Sequence, residues 1–255
     1  MNTVAIIQAR MGSSRLPQKV MMPLAGRPMI YHVVERVRRI PGVDKDVVAT
    51  STSQREAPLV DYVRSELDVA VVRGPEDDVL RRYLLAASEY RADPIMRITG
   101  DCPLISPKVS GLVLRAYLER EKYCDYASNT LKRTFPRGLD TEVFSFGALL
   151  RAHRRGTSDA EREHVTLPIY SHPRAFRLLS VLSSRHHPLH RWTVDTAEDY
   201  ELMCRIFDTL YPKNPAFELK ETLMVVEENP HWQEININIR QKPAQPRSGR
   251  AGDSR

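Results

Sequence analysis

Short β-branched apolar runs alternate with amphipathic helical patterns through the first hundred residues, and this alternation constrains the fold more than any other feature. The strand candidates are Val4–Gln8 and residues 46–50, 69–72 and 94–99. The helical patterns between them cover residues 28–40, 55–67 and 79–90. Strands that alternate with helices predict a mainly parallel sheet with helices on both faces and right-handed crossovers. Such sheets bind ligands at the carboxyl ends of their strands.

The second half of the chain has a mixed pattern. Helices are predicted at residues 108–120, 146–154, 160–170, 197–210 and 217–228. Strands are predicted at residues 139–144, 176–182 and 191–194. A chain of this size can bury one core, so we predict a single α/β domain over residues 1–239. Residues 240–255 are rich in Pro, Gly, Ser and Arg without apolar periodicity, and they are predicted to form a disordered basic tail.

The charge balance and the cysteines exclude several classes of protein. The formal net charge is +6, but the tail holds five Arg or Lys residues and one Asp, so it carries four of those six charges. The body is therefore too weakly basic for a nucleic-acid surface. The three cysteines show no metal-binding or disulfide spacing, and the chain contains no run of about 18 apolar residues that would predict membrane insertion. With no signal-peptide pattern at the start, we expect a soluble cytoplasmic protein.

A cationic loop, residues 9–19, follows the first strand candidate and holds three cations, two hydroxyls and one glycine. Backbone and hydroxyl donors together with Arg and Lys side chains suit a triphosphate. The residues predicted to contact the nucleotide here are Ala9, Arg10, Gly12, Ser13, Ser14, Arg15 and Lys19. The loop is neither a Walker A loop nor a dinucleotide fingerprint. An ordinary solvated surface loop is the alternative, and the loop by itself does not decide between the two.

The sequence IIQARMGSSRLP at residues 6–17, followed by Lys19, resembles the opening motif of the cytidylyltransferase family that activates acidic sugars. The likeness is greatest to the branch of SpsF-like spore coat polysaccharide biosynthesis proteins, which are homologues of the CMP-Kdo and acylneuraminate cytidylyltransferases. Further stretches that resemble this family lie at residues 73–80, 100–105, 138–140, 163–166 and 192–196. Five matches in order are more specific than one loop. The cationic loop departs from the sialic-acid enzymes, because it lacks their additional Gly and Lys.

The resemblance implies a three-layer α/β/α nucleotide-diphospho-sugar transferase fold of the GT-A type, with a mainly parallel mixed sheet. It also implies transfer of CMP from CTP to a sugar or sugar acid, with release of pyrophosphate, in cell-surface polysaccharide biosynthesis. Mg²⁺ would be the cofactor, and a homodimer is expected as in the resembling enzymes. Two other functions stay open: a glycosyltransferase that uses a nucleotide sugar, and a non-catalytic nucleotide-binding protein of polysaccharide assembly.

Two aspartates are candidates for the metal site. Asp101 follows the strand candidate that ends at residue 99, so it should lie at the same sheet edge as the cationic loop. Asp195 follows the strand candidate 191–194, and the matching aspartates of the resembling family bind a divalent ion. Magnesium prefers few protein carboxylates together with water and phosphate oxygens. The alternatives are a turn at Asp101 and a helix N-terminus at Asp195.

The base and the acceptor are assigned to further loops. The resemblance implies that Arg73 and Asp78 contact the nucleotide, although Asp78 could simply cap the following helix. Strand periodicity places Asp140 and Glu142 on one face, where they could hold sugar hydroxyls. The remaining acceptor candidates are Asn129, Arg137, Glu163 and His164, for which a solvated surface is the alternative.

Catalysis is assigned to groups that neutralise phosphate charge while a sugar oxygen attacks the α-phosphate in line, without a covalent enzyme intermediate. These groups are Arg10, Arg15, Lys19 and Asp101. The cluster of His186, His187 and His190 lacks the spacing of a metal motif. Cys102 has no adjacent base, which indicates a packed thiol rather than a nucleophile.

Overall fold

The computed structural model describes residues 1–185 and 190–241. The strands are β1 (Val4–Gln8), β2 (Pro23–Leu24), β3 (Arg27–Pro28), β4 (Lys45–Ser51), β5 (Ala70–Gly74), β6 (Ile95–Thr99), β7 (Tyr126–Ser128), β8 (Glu142–Phe144) and β9 (Leu178–Ser180). The helices are α1 (Met29–Val37), α2 (Ala57–Ser65), α3 (Val79–Glu89), α4 (Pro107–Leu118), α5 (Phe146–Arg155), α6 (Asp159–Glu163), α7 (Leu167–Tyr170), α8 (Ala197–Leu210) and α9 (Leu219–Glu228).

Seven strands form one sheet in the order β5-β4-β1-β6-β8-β7-β9, and β2 pairs with β3 in a separate ribbon. β8 is antiparallel to both of its neighbours, and the other six strands run parallel to one another. The mainly parallel mixed sheet confirms the predicted fold class. From β1 the chain builds outward through β4 and β5, and then crosses back to β6 on the other side of β1. Ligands of open α/β sheets bind at the carboxyl ends of the strands at such a switch point.

Helices cover both faces of this sheet. Alternate residues of β1 point to opposite faces, so Ile7 joins the apolar cluster with α1, α2 and α4, whereas Ile6 joins the cluster with α3 and α5. A third apolar cluster, which contains the buried Trp192, packs α8 and α9 against Leu104 in the loop after β6. The two helical layers and the sheet give the predicted α/β/α architecture, and the third cluster closes over the switch point.

The prediction of one helix over residues 160–170 is wrong. Helix α6 ends at Glu163, helix α7 begins at Leu167, and Val165 between them has a φ of 22°. Pro168 explains the break, because it lacks the backbone N–H that a continuous helix needs and its ring clashes with the preceding turn. In the same half of the chain, the short strand β7 was not predicted, and the predicted strand 139–144 is reduced to β8.

The segment 191–194 is extended but is not a strand of the sheet, so that prediction is also wrong. In the described part of the chain, this segment forms one isolated β-bridge, between Arg191 and Arg137. The N–H of Trp192 donates to the Arg137 carbonyl oxygen at 2.8 Å. Gly138 makes this approach possible, because its φ is 104° and an added Cβ would lie 2.4 Å from the Trp192 carbonyl oxygen. The segment therefore lies beside the loop that precedes β8.

His186 and His187 lie outside the described residues, and so does the predicted basic tail from Lys242 onward. Across residues 1–185 and 190–241, no helix is long and apolar enough to cross a membrane.

Candidate active site

Lys19 lies between two aspartates at the switch point. Its ammonium Nζ is 2.8 Å from Asp101 Oδ2 and 2.9 Å from Asp195 Oδ1. It also donates to the Val194 carbonyl oxygen at 2.7 Å. These three acceptors use all three N–H donors of one buried ammonium. The structure thus brings together one cation of the cationic loop and both of the aspartates that the sequence analysis assigned to the metal site.

The three charged side chains come from three different segments. Lys19 begins a 3-10 turn, Lys19–Met21, after Gln18, whose φ of 60° redirects the chain. Asp101 follows β6, and its backbone carbonyl accepts the N–H of Val194 at 2.8 Å. This backbone hydrogen bond holds the start of the Asp195 segment against the end of β6. The close approach of the two carboxylates therefore depends on the fold and not on one local motif.

Asp195 is surrounded by three cations. Arg15 Nη2 and Arg191 Nη2 each lie 3.0 Å from its Oδ2, while Lys19 contacts its Oδ1. Burial raises the pKa of the Asp195 carboxyl, but Lys19, Arg15 and Arg191 outweigh burial and lower this pKa to about 2. Burial lowers the pKa of Lys19, but Asp101 and Asp195 outweigh it and raise that pKa above its ordinary value. Both groups are therefore charged at neutral pH.

Arg191 is held in turn by a buried acid, Asp199. The Asp199 carboxylate is fully buried and accepts from Arg191 Nε at 2.8 Å and from Arg191 Nη2 at 2.9 Å. It also closes a capping box with Thr196 at the start of α8. Arg191 was not predicted as a site residue, because the local signal in the sequence is the helix-capping pattern that follows it. Arg191 and α8 together fix the position of the Asp195 carboxylate.

The depressed pKa of Asp195 makes part of the stability dependent on pH. A carboxyl whose pKa falls from 3.8 to about 2 on folding stabilises the fold by about 2 kcal/mol above roughly pH 4. This contribution is lost as the pH falls through about 2, because the folded protein then also binds the proton. Between about pH 5 and pH 2, we expect the free energy of unfolding to fall by about 2 kcal/mol more for the wild type than for Asp195→Asn in urea titrations. Equal pH dependence in the two proteins would contradict the pairing of Asp195 with its three cations.

A buried acid that the sequence analysis did not single out fixes the cationic loop. Glu56 is fully buried, and its Oε2 accepts the backbone N–H of Met11 at 2.8 Å. The same carboxylate accepts the hydroxyls of Thr50 and Ser51, at the end of β4, at 3.0 and 3.2 Å. The spacing from Ser53 to Glu56 matches a helix capping box, which hides this role in the sequence. Ser53 makes no side-chain cap in the structure.

Glu56→Gln is expected to lower the free energy of unfolding by about 2 kcal/mol, because the amide loses the charge and one acceptor for three donors. The loosened loop should also raise the KM for the nucleotide. Urea denaturation and initial rates measure the two effects. Glu66→Gln, an exposed acid just after α2, is the matched control. If both variants keep the wild-type stability and KM, Glu56 does not anchor the loop.

The other residues of the cationic loop differ in exposure and in their partners. Arg10 Nη2 is 3.9 Å from Glu163 Oε1, and both side chains are about two-fifths exposed. Ala9 is buried, whereas Gly12, Ser13 and Ser14 are half-buried or exposed. A cavity of about 180 Å³ opens at this side and is lined by Arg10, Glu76, Asp77, Asp159 and Glu163. A larger cavity of about 630 Å³ includes Asp125, which precedes β7, and therefore lies at the opposite end of the sheet.

The two predicted base contacts have internal partners. Arg73 donates to the backbone carbonyls of Ser51 and Ser53 at 3.0 and 2.9 Å. Asp78 caps α3, because its carboxylate accepts the N–H of Arg81 at 2.8 Å. The capping alternative for Asp78 is thus present in the structure, and both residues shape the loop between β5 and α3. Their contact with a nucleotide stays a prediction.

Most acceptor candidates also have partners within the chain. Asp140 forms a two-pronged ion pair with Arg133, at 2.6 and 2.9 Å. Asn129 is buried and bridges two backbone groups of the loop before β8, a carbonyl and an N–H, at 2.7 and 2.9 Å. Glu142 is buried in the sheet, where it pairs with Arg97. Asp140 precedes β8 while Glu142 begins it, so the two carboxylates have different surroundings instead of one shared strand face.

Arg137 differs from these candidates. It is half-buried, and in the described residues its guanidinium forms neither an ion pair nor a hydrogen bond. Burial and the charge of Arg133 lower the pKa of Arg137. A cation of this kind, beside the segment that leads to Asp195, is available to an acidic ligand.

Three further side chains bear on the chemistry. Burial lowers the pKa of His164, so its imidazole is neutral at neutral pH. Burial and the charge of Asp101 raise the pKa of the Cys102 thiol well above its ordinary value, which keeps it protonated. His190 stacks on Trp192, with ring centroids 5.1 Å apart. Cys102 is therefore a buried, protonated thiol next to the site.

The mainly parallel sheet, the cationic loop after its first strand and the aspartate pair at the switch point define an α/β nucleotidyltransferase. The chain belongs to the cytidylyltransferase family, whose model matches residues 4–238. It is 32% identical to the spore coat polysaccharide biosynthesis protein SpsF of Bacillus subtilis, over 88% of this chain and 94% of that protein.

Solved structures agree with this family. A cytidylyltransferase from Leptospira borgpetersenii superposes with a TM-score of 0.87 at 29% identity, over 95% of this chain and 99% of that one. A CMP:2-keto-3-deoxy-manno-octonic acid synthetase complexed with CTP superposes with a TM-score of 0.63 at 18% identity, over 82% of this chain and 99% of that one. At that identity, the second likeness shows a shared fold.

Proposed function

We propose that the protein transfers CMP from CTP to an oxygen of an acidic sugar and releases pyrophosphate, in the synthesis of a surface polysaccharide. The observation that carries this proposal is the Lys19 ammonium at 2.8 and 2.9 Å from Asp101 and Asp195, beside the cationic loop. One lysine and two aspartates at a switch point can serve both a triphosphate and a divalent ion. SpsF and the synthetase with bound CTP support this choice of nucleotide and product class.

Asp101 and Asp195 would hold Mg²⁺. In the described residues, no group of three or more metal-ligating side chains occurs, so the ion would take its other ligands from phosphate oxygens and water, as Mg²⁺ prefers. When bound, the ion would draw electron density from the α-phosphate and favour attack there. The Lys19 ammonium contacts the Asp101 and Asp195 oxygens that would bind the ion. We infer that, when the nucleotide and the ion bind, Lys19 leaves these oxygens and contacts phosphate oxygens instead.

The residues of the chain position the reactants and neutralise charge. Arg15 and Lys19 would stabilise the departing pyrophosphate, and Arg10 would contact the same phosphates from the open side of the loop. The sugar oxygen would attack in line, so no covalent enzyme intermediate forms. The protonated, buried Cys102 thiol fits a mechanism without an enzyme nucleophile.

Arg137 supports an acidic acceptor. Its guanidinium, which has no partner among the described residues, can take a sugar carboxylate in two parallel hydrogen bonds, whereas a neutral sugar would leave it without an anion. Asp140, with Arg133, would accept from sugar hydroxyls at the same side, and Glu163 and His164 would contact the sugar from the other. Asn129 and Glu142 would act through the loop and the sheet that they stabilise. We also propose that the protein forms a homodimer and acts in the cytoplasm, where CTP is available.

A pyrophosphate-release screen tests this function. Each of the four common ribonucleoside triphosphates is incubated with Mg²⁺ and a panel of neutral sugars and sugar acids. Release that requires both CTP and a sugar acid supports the proposal. Release of a nucleoside diphosphate from a nucleotide sugar would instead indicate a glycosyltransferase. Binding of CTP without turnover against any acceptor would indicate a non-catalytic nucleotide-binding protein.

A further inference from the structure

Arg82 of α3 is a buried cation without a partner. The residue is 2% exposed, and its Nε has no hydrogen-bond acceptor. Within residues 1–185 and 190–241, its terminal nitrogens also form no hydrogen bond or ion pair. Among the other buried cations that the structure describes, Lys19 contacts Asp101 and Arg191 contacts Asp199, while Arg36 donates to the Phe217 carbonyl oxygen although its Nη2 has no acceptor. Burial of an arginine without an acceptor destabilises a fold, so Arg82 requires an explanation.

Arg82 lies at the nucleotide edge of the sheet. A Cβ added at Gly74, the last residue of β5, would lie 2.8 Å from Arg82 Cγ, so the side chain passes over the carboxyl end of that strand. After burial, the charges that act on its guanidinium are those of Arg10, Tyr83, Glu56 and Asp78, and all of these except the core residue Tyr83 belong to the same edge. Arg10 belongs to the cationic loop and Glu56 anchors it, so the Arg82 side chain lies near that loop as well as near the end of β5.

The two nearby carboxylates already have donors of their own. Glu56 accepts the Met11 N–H and two hydroxyls, and Asp78 accepts the Arg81 N–H. Neither forms an ion pair with Arg82, although both act on its charge. Among the residues that the structure describes, no acceptor completes the Arg82 guanidinium, and a ligand is the simplest source of one.

The order of the strands gives an approximate distance between Lys19 and Arg82, and this distance matches the length of a nucleotide. Lys19 and the aspartates stand between β1 and β6, whereas Arg82 stands at the end of β5, two strands beyond β1. Neighbouring strands are about 4.8 Å apart, so two and a half spacings give an offset of roughly 12 Å, which is on the scale of a nucleotide from its phosphates to the far edge of its base. With the phosphates at Lys19, a base directed toward β5 would come within reach of Arg82.

We propose that Arg82 selects cytosine by donating two parallel hydrogen bonds to O2 and N3 of the base. This inference rests on the proposed function and names the residue that determines its base specificity. The planar guanidinium fits two adjacent acceptors. Cytosine offers that pair of acceptors. Uracil carries a hydrogen on N3, so its N3–H donor would face an N–H donor of the guanidinium. Glu76 and Asp77, which line the cavity beside Arg10, are acceptors of the kind that the N4 amino group needs.

The test compares Arg82→Gln and Arg82→Lys with Arg81→Gln, an exposed neighbour on the same helix. For each protein, kcat/KM is measured with CTP and with UTP by pyrophosphate release, and the melting temperature is measured without nucleotide. In both Arg82 variants we expect kcat/KM for CTP to fall by about tenfold to a hundredfold, and the preference for CTP over UTP to shrink by a similar factor. Arg81→Gln should keep the wild-type values.

The thermal stability separates selection of the base from a structural role. Removal of an unpaired buried charge should leave the melting temperature of Arg82→Gln equal to or above that of the wild type. An Arg82→Gln protein that keeps the CTP preference of Arg81→Gln overturns the proposal, and so does a folded Arg82→Lys protein with unchanged preference. If the wild type releases no pyrophosphate from any triphosphate, the proposed function fails. Calorimetric titration of CMP and UMP into the same proteins then still tests the role of Arg82. Loss of the preference for CMP in the Arg82 variants supports the proposal, and retention of that preference overturns it.

Discussion

Asp101→Asn is expected to lower the rate of pyrophosphate release by on the order of 10²–10³-fold while the fold stays intact. The substitution keeps the size of the side chain but removes the charge that would hold the divalent ion with Asp195. It also takes one of two anions from Lys19. The rate should be measured at several Mg²⁺ concentrations, where the variant should need more Mg²⁺ for half-maximal activity. Far-UV circular dichroism and the melting temperature report on the fold.

Asp61→Asn is the matched control for this prediction, since Asp61 is an exposed acid on α2 away from the switch point. It should have the activity of the wild type. A near-normal rate for Asp101→Asn would show that the carboxylate plays no part in the reaction, and the turn at the end of β6 would then be the role of Asp101.

Lys19→Met is expected to reduce activity by on the order of 10²-fold and to make the stability of the protein depend on divalent ions. Without the ammonium, Asp101 and Asp195 face each other with less compensating charge, so the melting temperature in EDTA should fall below that of the wild type. Millimolar Mg²⁺ or Mn²⁺ should raise the melting temperature of the variant more than that of the wild type. The ion can then take the place of the ammonium.

The responses of activity and melting temperature to the divalent ion distinguish this prediction from a general loss of function. Activity should stay low at every ion concentration, because the ion replaces the charge between the carboxylates but not the contact with the departing phosphates. Lys213→Met, at an exposed position after α8, controls for the loss of a lysine and should show neither effect. A Lys19→Met protein whose melting temperature responds to Mg²⁺ as the wild type does would refute the idea that the ammonium and the ion share one place.

Local patterns predicted much of the fold correctly. β1 has the predicted bounds of Val4–Gln8, and α8 has the predicted bounds of Ala197–Leu210. Both have strong local signals, which are a β-branched apolar run for β1 and a capping box of Thr196 and Asp199 for α8. The cationic loop and Asp101 were placed at one sheet edge for the same reason, because each directly follows a strand that the sequence marks clearly.

The failures occur where distant partners outweigh local preference. Residues 191–194 read as a strand, but they pair with the loop before β8, where Gly138 allows the backbones to approach. Glu56 has the spacing of a capping-box acid after Ser53 and was not predicted to have a role, yet its carboxylate accepts the N–H of Met11, 45 positions away. Asp140 and Glu142 read as neighbours on one face, but Arg133 and Arg97 draw them into separate ion pairs.

The sequence by itself determined the order of strands and helices, the cationic loop after the first strand, and the aspartates near the ends of later segments. Helical and strand periodicities arise from hydrogen bonds and packing between near neighbours, so one sequence can reveal them. Only the tertiary structure decided that Lys19 contacts Asp195, 176 positions away, and that the Nε of the buried Arg82 finds no acceptor among the described residues. Such contacts depend on which strands lie side by side at the switch point, and ion pairs form between whatever charges that arrangement brings within reach.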